Sequence, residues 1–140
     1  MLVVAGGRQV GKTTRMLEWL KDHLTEYSFI HYVFYQSGSV ETVEKLLKEH
    51  FPNTVINVKM SRISFCLPDN SDGEGLLVLE NVKARDKNHL KRTIDMLRSI
   101  EKGTSLKVAV SFLLTDPELV EGIEEIEWLS TPPKSPSGVK

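Results

Sequence analysis

The 140-residue chain predicts an α/β protein with three layers, a mostly parallel central sheet covered by helices on both faces. Two observations carry this expectation. Near-continuous apolar runs recur ("LVVA", "FIHYVF", "LLVLENV", "LKVAVSFLLT"), and such runs suit strands buried on both sides. Between them lie segments whose apolar residues return at helical spacing, so strands and helices alternate along the chain.

Residues 2–5 read as a first buried strand that runs straight into a glycine-rich turn. Residues 12–26 place Leu17, Leu20 and Leu24 on one helix face. Residues 29–36 are aromatic and β-branched, a second strand. Ser39 then offers an N-cap for a helix whose stripe is Val40, Val43, Leu47 and Phe51. Residues 54–60 and 62–67 alternate as short strands, readable as one hairpin, and 68–75 form an acidic, turn-rich loop. Residues 76–82 are again a buried strand. A helix over 87–103 follows, marked by Leu90, Ile94, Leu97 and Ile100 and closed by Gly103. Residues 106–115 form a strand almost without charge; 121–130 divide between edge strand and short helix, with strand the better fit. The Pro/Ser-rich stretch 131–140 reads as a disordered tail, which leaves one domain over 1–130.

Bulk properties exclude several classes. A net charge of −1 supplies no global field toward nucleic acid or membrane, so nucleic-acid contact requires a local patch. The single cysteine, Cys66, forms no intrachain disulfide and fits a reducing, cytoplasmic setting. No apolar run approaches the roughly 20 residues that span a bilayer. "LVVA" is too short for a secretory signal.

The chemistry concentrates at the first turn. Gly6-Gly7-Arg8-Gln9-Val10-Gly11-Lys12-Thr13 fits G-x-x-x-x-G-K-[ST] at every fixed position. Glycines let the backbone curl until successive N–H groups point at phosphate oxygens, and the helix starting near Lys12 adds the positive end of its dipole. Lys12 then reaches the β- and γ-phosphates, the Thr13 hydroxyl ligates Mg²⁺, and Thr14 supports the α-phosphate. Chance produces this pattern in about one chain of this length in a few hundred, and here it sits between strand and helix as the motif requires. The implied cofactors are ATP and Mg²⁺.

Such a loop needs an acidic partner at the end of another strand. "LLVLEN" is the only apolar strand that ends in a carboxylate, which makes Glu80 the candidate. Two assignments follow. Either Glu80 serves the metal and Asn81 stands where the base would be, or Glu80 is the base and Leu79 fills the metal position. A single carboxylate in both roles predicts slow hydrolysis, because an amide cannot accept a proton from water. Thr115 or Ser111 is a candidate γ-phosphate sensor on the strand over 106–115; both also read as ordinary strand hydroxyls.

The variable residues of the loop narrow the family. No N-K-x-D or L-S-G-G-Q occurs, which argues against guanine-specific GTPases and transporter ATPases. "GGRQVGKTT" resembles the phosphate loop of tailed-phage terminase large subunits, RecA-like P-loop ATPases that package DNA. In that family the loop arginine is a cis arginine finger, and the matching residue is Arg8. "YVFYQSGSVETVEKLLKEHF", "ISFCLPDNSDGEGLLVLEN" and "VSFLLTDPE" are similar to the family's second strand and helix, its hairpin into the acidic strand, and its coupling motif. The resemblance spans roughly residues 2–118 and implies a compact ATPase, phage-encoded and working in the host cytoplasm. It also implies a sheet in which a sensor strand lies between the glycine-loop strand and the acidic strand. The departures are the Glu80-Asn81 pair and the Leu-Leu-Thr-Asp coupling segment.

Directly after the acidic strand, "VKARDKNHLKR" gathers Lys83, Arg85, Lys87, Lys91 and Arg92 against Asp86 alone. This segment reads as a contact to DNA phosphates, as a trans arginine finger (Arg85 or Arg92) in a homo-oligomer, or as a solvated helix start. No aromatic residue interleaves the basic ones, against base stacking. The function expected is Mg-dependent ATP hydrolysis acting on DNA. The alternatives are a small nucleotide or nucleoside kinase and a nucleotide-gated binding module.

Overall fold

A computed structural model describes residues 1–7, 11–25, 28–35, 40–60 and 75–129. Along the chain come β1 (Leu2–Gly6), α1 (Lys12–His23), β2 (Phe29–Phe34), α2 (Val40–His50), β3 (Val55–Met60), β4 (Gly75–Val82), α3 (Lys87–Gly103) and β5 (Leu106–Leu113). A 3-10 turn at Pro117–Val120 leads to β6 (Ile126–Trp128). The sheet has the order β3-β2-β4-β5-β1-β6, and every adjacent pair is parallel.

Period-2 alternation splits the central strands between two cores. Leu76 and Val78 of β4 pack with Met16, Trp19 and Leu20 of α1 and with Leu47 of α2. Leu77 and Leu79 pack on the other side with Leu90, Ile94 and Leu97 of α3. Hence the three α/β/α layers, and hence the unbroken apolar runs: both neighbours of each residue are also buried. β3, at the sheet edge, alternates instead, and its Val55 is 67% exposed. Gly75 opens β4 in register with Phe29 and Leu106, whose side chains fill the space a Cβ would need.

Several local expectations change. The buried face of α1 is Met16, Trp19 and Leu20, with Leu17 and Leu24 only partly buried, and the helix stops at His23. There the Leu24 N–H bonds Leu20 O at 2.9 Å, and His23 Nδ1 lies 2.9 Å from Trp19 O. β3 forms a parallel βαβ unit with β2 through α2. The second strand of the expected hairpin, the Ser39 cap and residues 130–140 lie outside the described residues. α3 does end at Gly103, but without a left-handed glycine. The Thr104 hydroxyl instead donates to Ile100 O at 2.7 Å, covering one of the helix's open carbonyls. Ile126–Trp128 is a strand, paired with β1. Among the described residues no helix is long and apolar enough to cross a membrane.

A wholly parallel sheet delivers all its strand C-termini to one edge, where ligands of open α/β sheets bind. Gly6, Leu113 and Glu80 emerge there in adjacent strands, with β5 between β1 and β4.

Candidate functional site

β1 leaves the sheet at Gly6, and α1 begins after Gly11, whose φ of 92° is a left-handed conformation that suits glycine. The helix ladder starts with Arg15 N on Gly11 O at 3.0 Å. Among the described residues no side chain caps α1, and no acidic residue occupies its first turn. The partial positive charge at that helix start meets no carboxylate within the turn itself. Lys12 is only 6% exposed, and its ammonium donates to Gly6 O at 3.2 Å and to Gly7 O. A buried cation thus lies folded over the turn it belongs to. Arg8, Gln9 and Val10, expected to complete the phosphate cradle, lie outside the described residues. Thr14 is exposed on the first turn of α1.

Thr13 faces the sheet. Its hydroxyl donates to Glu80 Oε1 at 2.5 Å, joining residues 67 positions apart in the chain. Glu80 is 5% exposed and forms no ion pair among the described residues. A second hydroxyl meets the same oxygen: Tyr32 of β2 donates to Glu80 Oε1 at 2.8 Å. Burial, then the neighbouring Glu80 charge and this hydrogen bond, push the Tyr32 phenol well above its ordinary range, so it keeps its proton and remains a donor. Thr13 and Glu80 supply the hard oxygen donors that Mg²⁺ prefers, and Mg²⁺ sites commonly take few protein ligands beside phosphate and water.

Asn81 is the least regular residue of the site. Three steps along β4, from Leu79 to Val82, match two along β5, from Val110 to Phe112, so β4 carries one extra residue. Asn81 stands in this bulge with a φ of 61°, the only left-handed non-glycine among the described residues. Its N–H donates to Ser111 Oγ at 2.8 Å, while its side-chain Oδ1 is buried with no hydrogen-bond partner among the described residues. Ser111, one of the two sensor candidates, is fully buried and spent on this bond. Thr115, the other, is exposed just beyond β5, and Asp116 beside it caps the 3-10 turn through Glu118 N at 2.9 Å.

The basic segment reaches the same edge but closes on itself. Asp86 caps α3 by accepting from His89 N at 2.8 Å, and Arg85 N donates to His89 Nδ1 at 3.1 Å. Lys87 is tied to Glu121 O at 2.9 Å, while Lys83, Arg85, Lys91 and Arg92 are exposed. A cavity of about 450 Å³ lies at the opposite edge, lined by Trp19, His23, Glu101 and Lys107, away from all these groups. Trp19 and Trp128 pack on the two cores, as packing residues.

Sequence reasoning missed Tyr32. A tyrosine in an aromatic strand reads as core, and its link to Glu80 depends on β2 lying beside β4, which composition does not reveal. No protein-family model matches the chain, and no curated protein matches it in sequence.

Proposed function

We propose that this chain is a small P-loop ATPase of the RecA-like, terminase-like branch that binds Mg-ATP and hydrolyses it slowly. The observation that carries the reading is the Thr13–Glu80 hydrogen bond at 2.5 Å. It brings the hydroxyl of the glycine-loop motif to the one apolar strand that ends in a carboxylate, and a chance motif match has no reason to do so. The placement of β5 between β1 and β4 supports the ATPase branch, in which a sensor strand separates the two.

In this reading the α1 amides and Lys12 bind the phosphates, Lys12 exchanging its loop carbonyls for phosphate oxygens. Thr13 and Glu80 hold the cation, so Glu80 takes the metal side. Mg²⁺, when bound, would supply positive charge against the charge of the phosphates. Asn81 Oδ1, buried and unpartnered, accepts a hydrogen bond from the attacking water but takes no proton from it, which favours slow turnover. Arg8 is the proposed cis finger. Lys83, Arg85, Lys91 and Arg92, exposed on the same edge, supply the proposed contact to DNA phosphates.

Calorimetry with Mg-ATP tests the core of the proposal. Wild type binds, and Lys12→Ala lowers affinity by at least about 100-fold, roughly 3 kcal/mol. Absence of binding to either ATP or GTP at millimolar concentration overturns the reading. DNA that leaves phosphate release unchanged at low salt removes the DNA part alone.

A further inference from the structure

Two hydroxyls hold Glu80, and only one belongs to the glycine-loop motif. The other, Tyr32, is 1% exposed on a strand that carries none of the residues assigned to the site so far. We propose that Tyr32 is a positioning residue of the cation site, its O–H fixing Glu80 Oε1 so that the carboxylate is oriented for a divalent cation. This inference rests on the Mg-ATP reading above.

The geometry follows from the sheet. Tyr32 lies opposite Val78 in the β2–β4 register, and Glu80 is two residues further along the same face as Val78. At about 3.3 Å rise per residue, two residues advance roughly 7 Å, about the reach of a tyrosine from its Cα to its oxygen. The ring packs in the core shared with α1 and α2, so the phenol is held by a rigid body with few rotamers. Phenylalanine would fill the same volume. The extra oxygen costs free energy in a core unless it finds a partner, and its partner here is the buried carboxylate of Glu80.

The donors also divide the carboxylate. Thr13 and Tyr32 converge on Oε1, which leaves Oε2 for a cation or its water shell. Thr13 has a single proton, so while that proton stays on Glu80 its lone pairs are the part offered to a cation. Tyr32 gives Glu80 a second anchor that does not depend on Thr13. Hydrogen bonds that orient a metal-binding carboxylate are worth about 10- to 100-fold in metal affinity when removed.

The test uses the full chain and compares ATP affinity in excess Mg²⁺ with affinity in EDTA, by calorimetry. Wild type gains affinity with Mg²⁺. In Tyr32→Phe that gain falls about tenfold while the EDTA affinity stays within about twofold; in a Glu80→Gln background the same substitution changes neither. An undiminished gain in Tyr32→Phe, or an equal drop with and without Mg²⁺, overturns the inference and leaves the ATP reading standing. Failure of wild type to bind ATP at all removes both. If Tyr32→Phe does not fold, the Tyr32→Phe/Glu80→Gln double variant decides, by circular dichroism. Recovery of the fold once the charge is gone supports a hydroxyl that serves the carboxylate. Continued unfolding assigns the hydroxyl to the core and overturns the proposal.

Discussion

Two helices start at the same edge of the sheet, each after a central strand, and they are built in opposite ways. α3 begins in the most basic stretch of the chain, yet Asp86 caps its terminus, the Arg85 backbone N–H bonds His89, and the Lys87 ammonium bonds Glu121 O. α1 begins with a buried lysine and, among the described residues, has neither a side-chain cap nor an acid in its first turn. A count of positive side chains would choose α3 as the anion site. The capping pattern favours α1 instead, because its N-cap is a glycine that carries no competing side chain. Charge density and anion preorganisation are separate properties, and this edge separates them.

The comparison breaks most completely if α1 is given what α3 has. Gly11→Asp puts a carboxylate against the open amides at a φ of 92°, so it competes with phosphate and strains the turn together. Mg-ATP affinity is expected to fall by at least about 100-fold, near 3 kcal/mol, read by calorimetry. Affinity within a few-fold of wild type would show that these amides do not receive the phosphates.

A smaller effect is expected at the strand that feeds α3. β1 ends cleanly at Gly6, whereas β4 ends in a bulge that holds Asn81 left-handed with an unpartnered Oδ1. Asn81→Gly releases the backbone strain and removes the stranded oxygen. After the entropy lost by ordering a glycine, a net gain of about 1 kcal/mol in urea unfolding is expected, together with still slower phosphate release. Asn81→Glu is expected to raise phosphate release, since a carboxylate accepts the water's proton. A loss of stability in Asn81→Gly would mean that Oδ1 is not the burden it is taken for here.

Much of this was legible in the chain. The glycine spacing marked the junction of β1 and α1, and "LLVLEN" marked the strand whose Glu80 lies against Thr13, because both signals are local and a carboxylate in an apolar run is conspicuous. The helix over 87–103 was readable from Leu90, Ile94 and Leu97, which repeat cleanly. The buried stripe of α1 runs through Met16 and Trp19 as well as Leu20, and leaves Leu17 and Leu24 only partly buried, which leucine spacing alone does not reveal. Tyr32, the Ser111–Asn81 bond and the bulge were not legible. Each depends on which strands are neighbours, and strand order is set by crossover geometry and core packing across the whole chain. Asp86 was visible as an isolated acid, but its role as cap depends on the turn that brings it over His89 N.

The mildest perturbation falls on the closed helix start. Asp86→Ala removes a cap and is expected to lower stability in urea unfolding, with no change in ATP affinity, since in wild type the Asp86 carboxylate already occupies the α3 terminus. The pH dependence carries the same message. The bond from His89 N, followed by nearby Arg85 and Arg92, holds the Asp86 carboxyl below its ordinary range. A carboxylate with a depressed folded value contributes fully above its unfolded value and loses that contribution as pH falls through the folded one. Wild type should therefore lose a small increment of stability on the acid side of the ordinary aspartate range, and Asp86→Asn should lack it, in paired urea titrations from neutral to acid pH. Asn still accepts from His89 N, so the titration isolates the charge from the cap. Identical slopes in the two proteins would mean that solvent screens the charge entirely, and that the closed state of α3 rests on hydrogen-bond geometry alone.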